Sequence, residues 1–281
     1  GFESLEKNTT GSNNTASGSG SLLSNTTGNY NTASGSGSLY SNTTGNYNTA
    51  SGFESLYSNT TGSDNTASGN YSLHSNTTGN YNTASGFESL EKNTTGYYNT
   101  ASGSGSLLSN TTGSNNTASG SGSLYSNTTG EKNTAFGYAS LLSNTTGSNN
   151  TAFGYNAQAS AVDATNQTMI GYEATGQADN SVVLGNDAVT AVYMGEDSGA
   201  KVYAGEGSFT GDVTIGGDVV VSSDARLKSN IVSLGSTLSR LLLIDGKSYE
   251  MKGKQKIGVL AQDIKEVFPE LVTEDDNEML A

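Results

Sequence analysis

Ser223 and Lys228 stand five residues apart and supply a hydroxyl and an amine. Those are the groups needed to attack a peptide bond and to take up the proton released, given a well-oriented bond between them. On a continuous helix the two side chains would point about 140° apart, so a working pair requires a turn or a strand-to-helix junction. For Lys228 to act as a base near neutral pH its pKa must fall by several units, which burial or the nearby Arg226 would produce. Asp224 fits the orienting of a turn better than chemistry, and Asn230 closes the same polar string. The rest of the chain offers little else. Without cysteine there is neither thiol nucleophile nor disulfide. The lone His74 occupies a slot where other repeats carry Tyr, Leu or Glu, with no metal partner in view. Gly-Asp-Val at 211–213 and 217–219 brings one acid per turn, short of the oxygens a calcium site takes. No metal and no cofactor is expected.

The segment that must position this pair is a small α+β domain over 223–281. Ile231, Leu234, Leu238, Leu241 and Leu242 recur at helical spacing and predict a helix from Ile231 to Ile244. Lys247–Met251 reads as a strand and Ile257–Ala261 as a buried one. Gln262–Phe268 reads as a helix stopped by Pro269, the only proline.

Everything upstream is periodic. Ser-Leu recurs at Ser4, Ser21, Ser38, Ser55, Ser72, Ser89, Ser106, Ser123 and Ser140, always seventeen residues apart. The unit reads G-x-x-S-L-x-x-N-T-T-G-x-x-N-T-A-S, and such strict periodicity means stacked units that contact only their neighbours. Seventeen residues with two glycines cannot hold a helix pair. They suit one coil of a β-solenoid, with strands at S-L-x-x and x-N-T-A and turns at Gly and Asn. Leu5, Leu22, Leu39 and their equivalents would form one apolar ladder, Ala16, Ala33, Ala50 and theirs a second. Repeated Asn and Thr would stack as hydrogen-bonded ladders. Nine Asn-Thr-Thr sequons, Asn8 to Asn144, read more simply as that ladder than as glycan acceptors.

Each coil has only two apolar side chains, and its Leu buries at most about 2–3 kcal/mol, against about 1–2 kcal/mol of backbone entropy for every residue ordered. An oligomer is therefore expected. Three dipeptide slots vary on the fixed frame: Phe2-Glu3 against Ser19-Gly20 and Asn70-Tyr71, Glu6-Lys7 against Leu23-Ser24, and Ser12-Asn13 against Asn29-Tyr30 and Tyr97-Tyr98. Variation there fits solvent-facing positions, because core changes would disturb packing.

Composition supports a repeat fold: 32% hydrophobic residues, 37 Gly and a net charge of −14. The acidic excess outside the C-terminal segment excludes nucleic acid as a partner and fits anionic membranes poorly. No apolar run reaches transmembrane length, so no membrane insertion is expected. Gly1 falls inside a repeat, so the natural N-terminus is expected further upstream.

Two resemblances follow from particular strings. Ser223-Asp224-Ala225-Arg226-Leu227-Lys228-Ser229-Asn230-Ile231, with Ile257-Gly258-Val259-Leu260-Ala261-Gln262 and Pro269-Glu270-Leu271-Val272, resembles the start of the intramolecular chaperone auto-processing domain. That domain closes many phage tail fibres and tail spikes. The resemblance implies a domain that trimerises, helps the preceding fibre fold and then cuts itself off. Carried over, Ser223 is the nucleophile, Lys228 the base, and cleavage falls between Ser222 and Ser223. The family pattern continues into a long C-terminal helix that this chain, ending at Ala281, lacks, so the domain is expected to be incomplete. Separately, Ile170-Gly171-Tyr172-Glu173-Ala174 and Asn180-Ser181-Val182-Val183-Leu184-Gly185 resemble motifs in the heads of YadA-type trimeric adhesins, which are β-rolls with shorter repeats.

The expected organisation is a mainly β, trimeric parallel β-solenoid of nine 17-residue coils over 1–155. Head-like coils follow over 156–190, a β neck over 191–222, and the chaperone over 223–281. The resemblances imply a homotrimeric viral tail fibre that contacts a host-surface glycan or protein and catalyses only its own cleavage. A bacterial trimeric adhesin is the alternative. An ice-binding solenoid fits less well because the variable Tyr and Glu slots would roughen a flat Thr face. A glycan-cleaving spike lacks facing carboxylates.

Overall fold

A computed structural model of the chain describes residues 1–192, 242–251, 254–258 and 261–269, which belong to two compact units, Gly1–Lys201 and Val202–Ala281. The first is a parallel β-solenoid. Its coils are numbered here from Gly1, seventeen residues each through coil 10 (154–170), with a shorter coil 11 (171–184). Each contributes one three-residue strand, from β1 (Thr15–Ser17) through β9 (Thr151–Phe153), β10 (Thr168–Ile170) and β11 (Val182–Leu184). All eleven lie in a single sheet in sequence order. The register is set by identity: Ala16 pairs with Ala33, and Ala33 with Ala50. The seventeen-residue spacing runs one coil further than the Ser-Leu motif, because Thr168 still pairs with Thr151. The last step shortens to fourteen, Thr168 to Val182.

The Ser-Leu segment does not form the expected strand. Glu54 (φ 52°) and Leu56 (φ 51°) are both left-handed, and every Leu at that coil position from Leu5 to Leu141 has φ between 50° and 55°. Left-handed residues two apart curl the chain into turns, although coil-to-coil bonds persist: the Leu22 N–H donates to Ser38 O and the Ser24 N–H to Tyr40 O, each at 3.0 Å. A left-handed Leu costs about 1–2 kcal/mol, offset by complete burial of its side chain, worth about 1.5–3 kcal/mol. The other expected strand moves along to Thr-Ala-Ser. The N–H of the Asn before it leaves the backbone ladder, since the Asn31 N–H donates to the Asn14 side-chain oxygen (2.9 Å), while the Asn31 carbonyl still accepts from the Thr15 N–H (2.9 Å).

The interior is one file of Leu and one of Ala, fully buried from Leu22 to Leu141 and from Ala33 to Ala152. Two polar files flank it. The Asn76 amide donates to Asn59 Oδ1 (2.8 Å) and to its own coil's Gly79 O (3.0 Å), and its Oδ1 accepts from Asn93 (2.8 Å). Asn82 donates to Gly96 O at 2.8 Å. Both amide hydrogens of each inner sequon Asn are thus used and the side chain is buried, which is the structural ladder expected from the repeat. Coils can approach this closely only at glycine: a Cβ on Gly69 (φ 142°) would lie 2.4 Å from Gly86 O.

In the second unit, β12 (Lys247–Met251) and β13 (Lys254–Gly258) pair antiparallel, Lys247 opposite Gly258. The strand expected at Ile257–Ala261 therefore begins three residues earlier. Helix α1 (Ala261–Val267) follows, one residue ahead of its expected start. Most of the expected helix over Ile231–Ile244 lies outside the described residues.

Candidate functional site

Ser222, Ser223, Asp224, Arg226, Lys228 and Asn230 all lie outside the described residues, as does the neck beyond residue 192. What is described is the frame downstream of them. The Ile-Gly-Val-Leu-Ala-Gln string spans the end of β13 and the start of α1. Lys247 at the start of β12 holds Asp245 (2.9 Å) and reaches Asp263 of α1 (3.7 Å). The hydrogen bond to Asp245 and the charges of both carboxylates raise the Lys247 pKa above its ordinary value, so this lysine is a cationic tie rather than a base. Phe268, just past α1, is buried, and its N–H donates to Ile264 O at 2.7 Å.

On the solenoid, the outward face of the sheet carries the first and third strand residues. Thr and Ser repeat there through coil 7. The third residue then becomes Phe136, Phe153, Ile170 and Leu184, exposed by 36%, 47%, 45% and 46%. Phe136 and Phe153 stack at 4.7 Å. An exposed face that stays uniform and then turns apolar contrasts with the variable slots, where aromatic rings form short stacks: Tyr30 on Tyr47 at 5.0 Å, Tyr40 on Tyr57 at 4.9 Å, Tyr138 on Tyr155 at 5.3 Å. His74 stacks on Tyr57 (5.3 Å) and meets Glu54 (3.3 Å); its slot is less open than expected, since His74 is half-buried and Leu23 and Leu108 at the same coil position are buried. Among the described residues no group of acids and His could hold a metal ion, and no helix is long and apolar enough to cross a membrane.

A second layer of repetition went unread in the sequence. Residues 1–50 and 86–135 are identical except at Ser12/Tyr97, Asn13/Tyr98, Asn29/Ser114, Tyr30/Asn115, Asn46/Glu131 and Tyr47/Lys132. Every difference falls in one variable slot, and the other two slots are unchanged. The signal is a five-coil period, hidden because the seventeen-residue frame dominates any self-comparison.

The replacements that end the regular frame were also missed. Coil 10 carries Gln158, Ala161 and Met169 where earlier coils have Leu, Asn and Ala. Met169 is fully buried. With Ala161 supplying no amide, Asn144 Oδ1 is buried without a hydrogen-bond partner.

Residues 223–273 match the family model described as chaperone of endosialidase, the stretch that carries both quoted strings. No curated protein matches the chain.

Proposed function

We propose that this chain is part of a homotrimeric, virion-borne tail fibre. In this reading the β-solenoid contacts a host-surface receptor, and the C-terminal chaperone assists trimer folding and then severs itself. The observation that carries the reading is the chaperone match at 223–273 following a solenoid. The uniform outward sheet face supports association. Phe136, Phe153, Ile170, Val182 and Leu184 are exposed in a single chain, and a second copy in register repeats the same rise of about 4.8 Å per coil.

Self-cleavage proceeds in this reading through an acyl shift. Ser223 Oγ attacks the Ser222 carbonyl carbon while Lys228 takes the hydroxyl proton. The Ser222–Ser223 C–N bond breaks, and Lys228 returns the proton to the leaving amine. Water then hydrolyses the ester, leaving a Ser222 carboxylate and restoring the Ser223 hydroxyl. In this reading the like charge of Arg226 depresses the lysine pKa, Asp224 orients the turn and Asn230 supports the pair.

The test is intact mass and native mass of the full-length protein beside Ser223→Ala. The expected result is a trimeric wild-type product ending at Ser222 and an uncut variant. An uncut wild type overturns self-cleavage, and a monomer overturns the fibre reading.

A further inference from the structure

The edge formed by the two unchanged slots carries a recess that the frame does not require. Over coils 6 to 9 it is a cavity of about 290 Å³, walled by Phe87 at one end and Tyr138 at the other. Leu108, only 6% exposed, forms its floor beside the more open rings and methyls of Tyr125 and Leu142. The recess exists because coils 7 and 8 carry Ser-Gly where their neighbours carry Phe-Glu and Tyr-Ala. At Gly105 a Cβ would come within 3.4 Å of the Tyr125 ring, so the glycine clears the space above the ring. Ser104 and Ser121 present exposed hydroxyls, and Ser121 Oγ donates to Ser104 O at 3.2 Å, leaving its own lone pairs to accept. Glu88 is the carboxylate of the lining.

We propose that this recess is a carbohydrate subsite for one uncharged hexose unit of a glycan, resting on the receptor-binding reading above. Aromatic faces and an apolar floor match the C–H faces of a pyranose ring, while hydroxyls and one carboxylate match its O–H donors. The volume suits one sugar ring with room for its linkages, at the small end of ligand pockets. Charge decides the class. Glu88 lines the recess and the chain carries −14 overall, so an anionic sugar meets repulsion and a neutral one does not. The five-coil duplication repeats eight of the eleven lining residues, while the coil-9 wall of Tyr138, Ala139 and Leu142 stands where coil 4 has Phe53, Glu54 and Tyr57 and is particular to this copy. Phe2, Glu3, Ser19, Gly20, Leu23, Ser36, Gly37 and Tyr40 repeat as Phe87, Glu88, Ser104, Gly105, Leu108, Ser121, Gly122 and Tyr125, while the third slot changed in all three coils.

The probes are glucose, galactose, mannose and N-acetylglucosamine, each at about 10 mM, enough to saturate a millimolar site. Sialic acid is the anionic control. Saturation-transfer NMR on the full-length protein is read alongside oligomeric state on the same sample. At least one neutral sugar is expected to bind. Tyr125→Ala and Phe87→Ala each weaken binding about tenfold (~1.4 kcal/mol), Ser121→Trp blocks the recess, and Tyr98→Ala on the changed edge has no effect. Unchanged thermal midpoints show that these exposed substitutions leave the fold intact. No transfer to any neutral sugar, preferential binding of sialic acid, or equal loss in Tyr98→Ala overturns the subsite. A cleaved trimer that binds no hexose removes the subsite and leaves the fibre reading standing. An uncut monomer that binds hexose does the reverse.

Discussion

Coils 1 to 9 and coils 10 and 11 share one sheet, yet they fill and close their interiors by different means. In the regular coils the Leu, Ala and Asn positions are exact copies, so Leu stacks on Leu, Ala on Ala and Asn on Asn, and each sequon amide from Asn25 to Asn127 is both donor and acceptor within its file. In coil 10 the Leu becomes Gln158 and the Ala becomes Met169, so apolar volume moves from one wall to the other. Gln167 takes the place of an inner Asn. Its N–H still donates to Asn150 Oδ1 (3.0 Å), but its amide turns to Ser160 Oγ (2.6 Å). Repetition gives strength that depends on having a neighbour, and the terminal coils are where the chain substitutes individual solutions for the missing one.

Truncation in the middle of the core should show the largest effect. Leu73→Ala removes a fully buried side chain whose neighbours in the file cannot collapse without breaking register. It is expected to lower unfolding free energy by about 2–5 kcal/mol in urea denaturation followed by circular dichroism. Met169→Ala, equally buried, should move the global midpoint less, because only the terminal coils are released. Equal shifts would mean that the solenoid unfolds as one block and that the contrast between the regions has no energetic content.

The Asn file sharpens the comparison. Asn76→Ala orphans Asn59 Oδ1 and removes the acceptor of Asn93, while Gly79 O keeps its bond from the Asn65 amide, with a penalty of about 1–3 kcal/mol for each buried group left unpaired. Asn144→Ala should be milder, since Asn144 Oδ1 already accepts nothing. Conversely, Ala161→Asn extends the file by one amide. The register is ready for it: the Thr145 N–H donates to Val162 O at 2.7 Å, as the corresponding Thr donate to Thr in earlier coils. A gain of about 1 kcal/mol is expected from satisfying Asn144 Oδ1, and a loss would show that coil 10 has left the ladder geometry.

Sequence reading reached the frame because its period is exact: coil length, the Leu and Ala files and the Asn ladder all follow from identity at a fixed spacing. It misplaced the strands because Leu is a poor left-handed residue by itself, and only complete burial at Leu22 or Leu56 overrides that local preference. It placed β13 three residues late because Lys254-Gln255-Lys256 is polar, and backbone pairing with Lys247–Met251 recruits those residues regardless of hydropathy. The continuation into coil 10 was hidden for the opposite reason, since Gln158, Ala161 and Met169 erase the markers while the backbone keeps the period. The chaperone strings were legible as strings, because a run of specific residues carries information that composition does not.

The smallest effect distinguishes how coil 11 is closed. Asp179 Oδ1 accepts the Thr165 N–H at 2.8 Å and lies 3.3 Å from the Gln167 amide. The Thr165 bond is the main reason its carboxyl is held below the ordinary carboxylate range, against an opposing desolvation. The folded coil therefore prefers the charged carboxylate. Its contribution is complete above the pKa of the unfolded chain and fades as pH falls through the lower folded value. Acid should loosen coil 11 while coils 1 to 9, whose inner files contain only neutral amides and methyls, stay closed. Amide-exchange protection at Thr165, corrected for the intrinsic rate, should drop on acidification, with that at Thr83 in mid-solenoid unchanged. Asp179→Asn should flatten the Thr165 profile. A parallel fall at both sites would instead place acid sensitivity in the solenoid as a whole, and Asp179 would no longer mark the difference between copied coils and individually closed ones.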